Sequence, residues 1–159
     1  MKKLQPLAAL RKKIRPLQKE GRKVVFTNGC FDLLHVGHVR YLAKARALGD
    51  CLVVAVNSDA SVRRLKGAAR PITPERERLE VLAALSSVDF LILFKEATPQ
   101  KVIDALSPDI LVKGGDWAIN EIVGKEAVER RGGRVVRVKT VAGASTSNII
   151  KRILKRFAS

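Results

Sequence analysis

Short apolar runs alternate along the chain with longer amphipathic stretches. The apolar runs are rich in Val, Ile, Leu and Phe, and they predict strands at 23–28, 51–57, 88–94, 109–113 and 134–138. Apolar residues at three- and four-residue steps predict helices at 6–20, 36–48, 74–86, 98–106, 121–131 and 147–157. Strands that alternate with helices favour right-handed βαβ units, and continuous apolar strands are typical of a parallel sheet covered on both sides. The pattern predicts one α/β domain with an open, Rossmann-like parallel sheet of five strands and helices on both faces.

Polar segments follow four of the five predicted strands. They lie at 27–38, 57–59, 113–117 and 140–148. In an open parallel sheet, ligands bind beyond the carboxyl ends of the strands. We therefore expect these four segments to contribute to one shared site.

The first of these segments contains the two histidines of the chain, His35 and His38. The predicted arrangement is a strand, a glycine-bearing turn and then the start of a helix. A helix N-terminus attracts phosphate through its free N–H groups and its dipole, and residues three apart lie on one face of it. Gly37 leaves room for a flat base or a phosphate chain to approach the backbone. The segment predicts a nucleotide site, and the alternative is a pair of polar residues beside a tight turn.

The stretch Gly29-x-Phe31-Asp32 followed by His35-x-Gly37-His38 resembles the signature of the HxGH nucleotidyltransferase superfamily. The resemblance continues in order through 48–50, 54–59, 65–67, 70–71, 113–116 and 145–150. Within the superfamily the chain is most similar to the heptose 1-phosphate adenylyltransferases of ADP-heptose synthesis. That resemblance implies transfer of AMP from ATP to a heptose 1-phosphate for lipopolysaccharide precursors, with release of pyrophosphate. Glycerol 3-phosphate cytidylyltransferases share most of the motifs and are the alternative within the class.

The resemblance also implies roles for individual residues. His35, His38 and Lys66 are the catalytic candidates, and Lys66 is expected in a flexible loop that brings its ammonium to the phosphates. The nucleotide-binding candidates are Asn28, Gly29, Phe31, Asp32, Gly37, Arg78, Lys113, Gly115, Asp116, Ser145, Thr146 and Ser147. Asp116 and Trp117 are candidates for the acceptor sugar. Mg²⁺ is the implied cofactor, carried on the ATP phosphates with no protein ligand assigned.

Several of these residues have more than one interpretation. Asp32 could orient a histidine, hold Mg²⁺ through water or cap the turn. Lys66 could be an ordinary exposed lysine, and Ser145 could simply cap the last helix. Trp117 could stack on a base or sugar, or it could pack in the protein. For Arg78 the rival is Arg76, since one of the two should face the sheet edge.

The net charge of +16 comes from the two ends of the chain. Residues 1–23 carry nine basic side chains and one acid, and residues 130–159 carry nine basic side chains and no acid. Three explanations remain open: solvated helix faces, a funnel that steers phosphorylated substrates, or nucleic-acid binding. The last would make the chain a basic RNA-binding protein on a nucleotide-binding fold. Aromatic residues make up only 4% of the chain, too few for base-stacking platforms, so nucleic acid is not the expected partner.

The 159 residues are enough for one domain with a sizeable core. We divide the chain into a basic amphipathic helix at 1–22 and a nucleotidyltransferase domain at 23–159. No apolar run is long enough to span a bilayer, and the basic N-terminus lacks the apolar centre of a secretion signal. Cys30 and Cys51 have no metal-ligand spacing. We expect a cytoplasmic protein with no membrane partner, and the resemblance implies a homodimer that binds ATP and a sugar 1-phosphate.

Overall fold

The computed structural model describes residues 2–115 and 118–158. In chain order, its elements are α1 (Leu7–Lys19), β1 (Val24–Gly29), α2 (Val36–Arg46), β2 (Cys51–Asn57), α3 (Asp59–Lys66), α4 (Glu75–Ala84), β3 (Phe90–Phe94), α5 (Gln100–Leu106), β4 (Ile110–Gly114), a 3₁₀ turn (Ile119–Glu121), α6 (Lys125–Glu129), β5 (Arg134–Val138) and α7 (Thr146–Phe157). The five strands occupy the five predicted positions, and their ends shift by at most two residues.

The strands form one parallel sheet in the order β3-β2-β1-β4-β5. The predicted Rossmann-like α/β fold is therefore confirmed. From β1 the chain first builds outward through β2 to β3, and it then returns to add β4 and β5 on the other side of β1. Such a reversal opens a crevice at the carboxyl ends of the two strands where it occurs. Here those strands are β1 and β4.

Helices cover both faces of the sheet, as predicted. On one face α1, α5 and α6 enclose a core that includes Phe26 and Ile103, and on the other α2 and α4 enclose one that includes Leu42 and Leu52. The first helix belongs to this packing, because it buries Leu10 and its Gln18 side chain donates to the carbonyl of Ser107 at 2.7 Å.

Helix α3 was not predicted from the sequence. It begins after Ser58, whose hydroxyl accepts a hydrogen bond from the Ser61 backbone N–H at 3.2 Å. It ends at Gly67, whose φ of +94° suits glycine. Only Ser61 and Val62 are buried in it, so its sequence lacks the apolar periodicity from which a helix is predicted. The capping serine and the terminal glycine were the available signals.

The helix predicted at 121–131 is shorter than expected. A 3₁₀ turn precedes Gly124, and only Lys125–Glu129 is α-helical. Gly124 has a φ of +89°, and a Cβ there would lie 2.6 Å from the Ile103 side chain. Conformation and packing both require glycine at this point, so the helix starts after it.

Candidate active site

His35 and His38 lie together at the start of α2. His35 is the residue that caps the helix, and the two rings stack with their centroids 3.8 Å apart and an angle of 19° between their planes. The edge of Phe31 contacts His38 at a centroid distance of 5.2 Å. The Nδ1 atoms of both histidines are buried and have no hydrogen-bond partner among residues 2–115 and 118–158. Buried polar atoms normally have a hydrogen-bond partner, so these two Nδ1 atoms are candidates for contact with a ligand.

Burial keeps both imidazoles uncharged at neutral pH. It lowers the pKa of His35, and together with the neighbouring His35 ring it lowers the pKa of His38 to about 4. A phosphate placed beside the rings would favour their protonated forms and raise both pKa values. The site can therefore gain positive charge when a polyanion arrives.

A second helix begins against the histidine pair. Ser145 caps α7, and its hydroxyl accepts from the Asn148 backbone N–H at 3.1 Å. A Cβ built on Gly37 would lie 3.1 Å from the Ala144 Cβ and 2.9 Å from the His35 ring, so the glycine permits this close approach. Neither α2 nor α7 has an acidic residue in its first turn. The positive ends of two helices thus converge with no carboxylate of their own, which favours an anion.

The predicted residues Thr146 and Ser147 lie in the first turn of α7. Thr146 is half-buried and Ser147 is exposed. Their backbone N–H groups are among the helix-start donors that have no partner within the helix. They can add to an anion cradle.

The crevice between β1 and β4 is bridged by Lys113 and Asn28. Lys113 is buried, and its ammonium donates to the Asn28 side-chain oxygen. Below this bridge, the Tyr41 hydroxyl donates to the Val112 carbonyl at 3.1 Å and pairs with the Thr27 hydroxyl at 2.7 Å. Tyr41 was not predicted, because its role depends on contacts with distant strands. These side chains hold the ends of the two strands together beside the histidines.

The glycines of the site have different packing requirements. A Cβ on Gly29 would lie 3.0 Å from the Phe31 ring, which is itself buried at a φ of +49°. These two residues shape the turn that leads to the histidines. A Cβ on Gly115 would have only ordinary contacts, at 3.5 Å or more. Any need for glycine at 115 would have to come from a ligand.

Asp32 holds the segment before α4. Its buried carboxylate accepts from the backbone N–H groups of Ile72 at 2.9 Å and Thr73 at 2.8 Å, and from the Arg70 guanidinium. Burial alone would raise the pKa of Asp32, but these hydrogen bonds and the Arg70 charge bring the pKa below its usual value. These contacts lie on the distant segment 70–73, a role outside the three interpretations left open for Asp32.

The described residues contain no group of three or more His, Cys, Asp or Glu side chains arranged to hold a metal ion. Asp32 is a carboxylate beside the histidine loop, and its oxygens are engaged with residues 70–73. The carboxylate of Asp32 is thus already occupied by protein donors. Mg²⁺ carried by ATP stays a prediction.

Arg78 ties together the loops that frame the site. Its side chain is fully buried, and it donates to the carbonyls of Thr73 and Asn57, both at 2.9 Å, and to the Cys30 carbonyl. It also pairs with the Asp59 carboxylate at 2.7 Å. All four acceptors are protein groups, which is the pattern of a positioning residue. The predicted nucleotide contact stays a prediction.

Lys66 occupies the last position of α3, so the prediction that it lies in a flexible loop was wrong. It is exposed, and Gly67 follows it. Burial raises the pKa of the Cys30 thiol, and the Lys66 charge acts in the opposite direction. Because Cys30 follows β1 directly, the Lys66 ammonium lies at the same edge of the sheet as the histidine loop. Asp116 and Trp117 lie outside the described residues.

The sequence matches the cytidylyltransferase-like family over residues 26–152. The chain belongs to that family. It is 59% identical over 155 residues to the bifunctional protein HldE of Citrifermentans bemidjiense, and 54% identical over 148 residues to that of Cronobacter sakazakii. These alignments cover 98% and 93% of this chain but only 32% and 31% of the relatives. This family member thus spans about a third of the length of the curated relatives it matches.

Two solved structures resemble this cytidylyltransferase-like chain. One is the lipopolysaccharide core biosynthesis protein from Thermoplasma volcanium, at 36% identity and a TM-score of 0.62, with 76% of this chain and 98% of that chain covered. The other is pantothenate synthetase from Thermus thermophilus, at 17% identity and a TM-score of 0.61, with 87% and 62% covered. The second supports the fold alone.

Proposed function

We propose that this chain is an adenylyltransferase that transfers AMP from ATP to a heptose 1-phosphate, giving ADP-heptose and pyrophosphate. The identity of 54–59% to proteins named HldE supports the proposal, as does the similarity to a lipopolysaccharide core biosynthesis protein. The motifs around His35 and His38 resemble those of adenylyltransferases of ADP-heptose synthesis. The proposal covers one reaction and extends to no other activity of the longer relatives.

The observation that carries the proposal is the meeting of two helix N-termini at the stacked histidines. The crevice between β1 and β4 provides the place, and the buried Nδ1 atoms of both rings have no hydrogen-bond partner among the described residues. A triphosphate laid across this point would meet both helix ends and both rings. This arrangement serves a polyanion far better than a neutral ligand.

The reaction needs positioning more than it needs an activated nucleophile. An oxygen of the acceptor phosphate forms a bond to the α-phosphorus of ATP, and the bond from that phosphorus to the α–β bridging oxygen breaks. Negative charge builds on the bridging oxygen as pyrophosphate leaves. Donors placed around that oxygen stabilise it, and holding the two anions in line supplies the rest of the rate.

The residues have different roles in this reaction, which follow from their positions. His35 and His38 donate to the α- and β-phosphates, and they can take up a proton as the charge builds. Lys66 adds a mobile ammonium at the same edge of the sheet. Asp32 and Arg78 keep the surrounding loops in place through their protein contacts. In this proposal ATP arrives with Mg²⁺ on its phosphates, and the enzyme is a cytoplasmic homodimer.

Pyrophosphate release tests the proposal directly. The purified chain is mixed with Mg²⁺, each nucleoside triphosphate in turn, and either a heptose 1-phosphate or glycerol 3-phosphate. Turnover is expected only with ATP and the heptose 1-phosphate, with a loss of about 100- to 1,000-fold in kcat for His38→Ala. Arg76→Met, on the exposed face of α4, is the matched control and should retain turnover.

Two other results would change the proposed function. Turnover with CTP and glycerol 3-phosphate would keep the chemistry and replace both substrates. No turnover with any pair, together with RNA binding that survives His35→Ala, would favour the basic RNA-binding alternative.

A further inference from the structure

The last helix, α7, leaves an apolar face uncovered. None of its twelve residues is buried. Ile153 is 47% exposed, Leu154 61% and Phe157 78%, so the apolar exposure increases toward the end of the helix. Together with the half-buried Ile149 and Ile150, these residues form a continuous stripe, which we call the α7 stripe. A contiguous exposed apolar stripe on one helix is a candidate interaction surface.

The cations of α7 occupy the other side of the helix. At 3.6 residues per turn, the α7 stripe covers an arc of about 140°, and the basic residues fill the remainder. These are Lys151, Arg152, Lys155 and Arg156, all exposed. Neither the helix nor the rest of residues 130–158 contains an acidic side chain. The helix therefore combines an apolar face with a wholly cationic one.

A second copy of the chain is a poor fit for this surface. A stable protein interface buries about 800 Å² on each partner. A twelve-residue helix is about 18 Å long, so one face of it offers only a few hundred Å². Two copies would also bring together helices that carry only positive charge, which opposes association.

Nucleic acid would contact only the cationic face of α7. Phosphates can neutralise the basic side chains, but they leave the apolar stripe in water. An anionic bilayer satisfies both halves, because the apolar residues enter the boundary of the acyl chains while the cations meet the headgroups.

We propose that α7 is an interfacial helix that attaches the protein to anionic lipid bilayers. This departs from the expectation of no membrane partner, which rested on the lack of a membrane-spanning run. Within the described residues no helix is long and apolar enough to cross a membrane, but surface attachment needs only an amphipathic helix. The Ser145 cap fixes the first turn of α7 beside the histidines. The exposed second half, from Ile153 to Phe157, would be the part that enters the lipid.

Sedimentation with vesicles tests the proposal on the whole chain. Vesicles of phosphatidylethanolamine with phosphatidylglycerol are compared with vesicles of phosphatidylcholine alone, at low and at physiological salt. Binding is expected to the anionic vesicles only, and it should weaken as salt screens the attraction. Circular dichroism before each assay confirms that a variant is folded.

Paired variants separate the apolar and the charge contributions. Phe157→Ser should lower the partition coefficient at least about tenfold, from the loss of one buried aromatic side chain. Val81→Ser removes an apolar residue of α4 that is 45% exposed, against 78% for Phe157, and should leave binding unchanged. Lys155→Gln with Arg156→Gln should cost about thirtyfold, at about 1 kcal/mol for each charge near the surface. Lys12→Gln with Lys13→Gln on α1 is the control, because it removes the same number of charges away from α7 and should weaken binding less.

Each other outcome would overturn the proposal. Equal weakening by the α1 and α7 charge pairs would show that net charge alone drives attachment. Failure to sediment with anionic vesicles at low salt would exclude the bilayer. Self-association in analytical ultracentrifugation that Phe157→Ser abolishes would assign the stripe to a second copy. RNA binding that the α7 charge pair weakens while vesicle binding does not change would assign the helix to nucleic acid.

Discussion

Replacing Arg78 with Met separates a positioning role from a direct contact with nucleotide. The guanidinium is fully buried and donates to three carbonyls and one carboxylate. Methionine keeps much of the volume but supplies no donor. The substitution would leave the carbonyls of Cys30, Asn57 and Thr73 without this partner, and Asp59 without its cation.

The expected loss of stability is large for a single substitution. Removing one partner of a buried ion pair costs about 3–5 kcal/mol. Asp59 is 25% exposed and can recover some hydration, whereas the buried part of the network cannot. We expect a fall of about 4 kcal/mol in the free energy of unfolding, out of a total of about 5–15 kcal/mol for a domain. The midpoint of thermal unfolding should fall by about 10 °C at 2–4 °C per kcal/mol.

Urea unfolding, followed by circular dichroism with and without ATP, measures this loss. Arg76→Met on the exposed face of the same helix should change stability by less than about 0.5 kcal/mol. Arg78→Lys, which keeps the charge but loses the planar fork, should fall between the two. If Arg78→Met unfolds like the parent protein but no longer gains stability from ATP, Arg78 contacts nucleotide directly and the positioning argument fails.

The remaining predictions concern the histidine pair and Lys66. Because the pKa of His38 is about 4 in the folded protein and near 6.5 when unfolded, stability should fall as the pH drops from about 6.5 to 4, and urea titrations should show a shallower fall in His38→Gln. Bound ATP should raise the His38 pKa in an NMR titration; an unchanged value would place the phosphates elsewhere. Gly37→Ala should displace the His35 ring and weaken ATP binding measured by calorimetry, because its Cβ would lie 2.9 Å from that ring. Lys66→Gln should raise the Cys30 pKa, read as slower reaction with a disulfide reagent at fixed pH, and an unchanged rate would contradict the proximity of the two residues.

Features that depend on short stretches of sequence could be predicted. The strands are continuous apolar runs because both sides of each are covered, and such runs need no knowledge of their neighbours. The pairing of His35 and His38 follows from helical spacing alone. The convergence of segments 27–38 and 140–148 follows from the parallel sheet, because the carboxyl ends of its strands share one edge.

Features that depend on long-range contacts could not be predicted. The sequence left three roles open for Asp32, and none of them was its hydrogen bonding to the distant backbone of Ile72 and Thr73. Arg78 could be ranked above Arg76 by resemblance, but three of its four acceptors, Cys30, Asn57 and Asp59, are distant in sequence. Helix α3 was overlooked because tertiary contacts to two buried residues replace the usual apolar periodicity.

The large net positive charge of the chain is not the source of the attraction for anions at the site. The two buried cations of the site, Arg78 and Lys113, already donate to protein acceptors, and the two histidines are uncharged at neutral pH. In the proposed mechanism, attraction for phosphate at this point therefore comes from the first turns of α2 and α7 and from Lys66. Fixed backbone donors keep their direction when substrate binds, so they need no reorganisation as charge builds. The rings between them are neutral at pH 7, and a bound polyanion would favour their protonated forms, which ties the charge of the site to its occupancy.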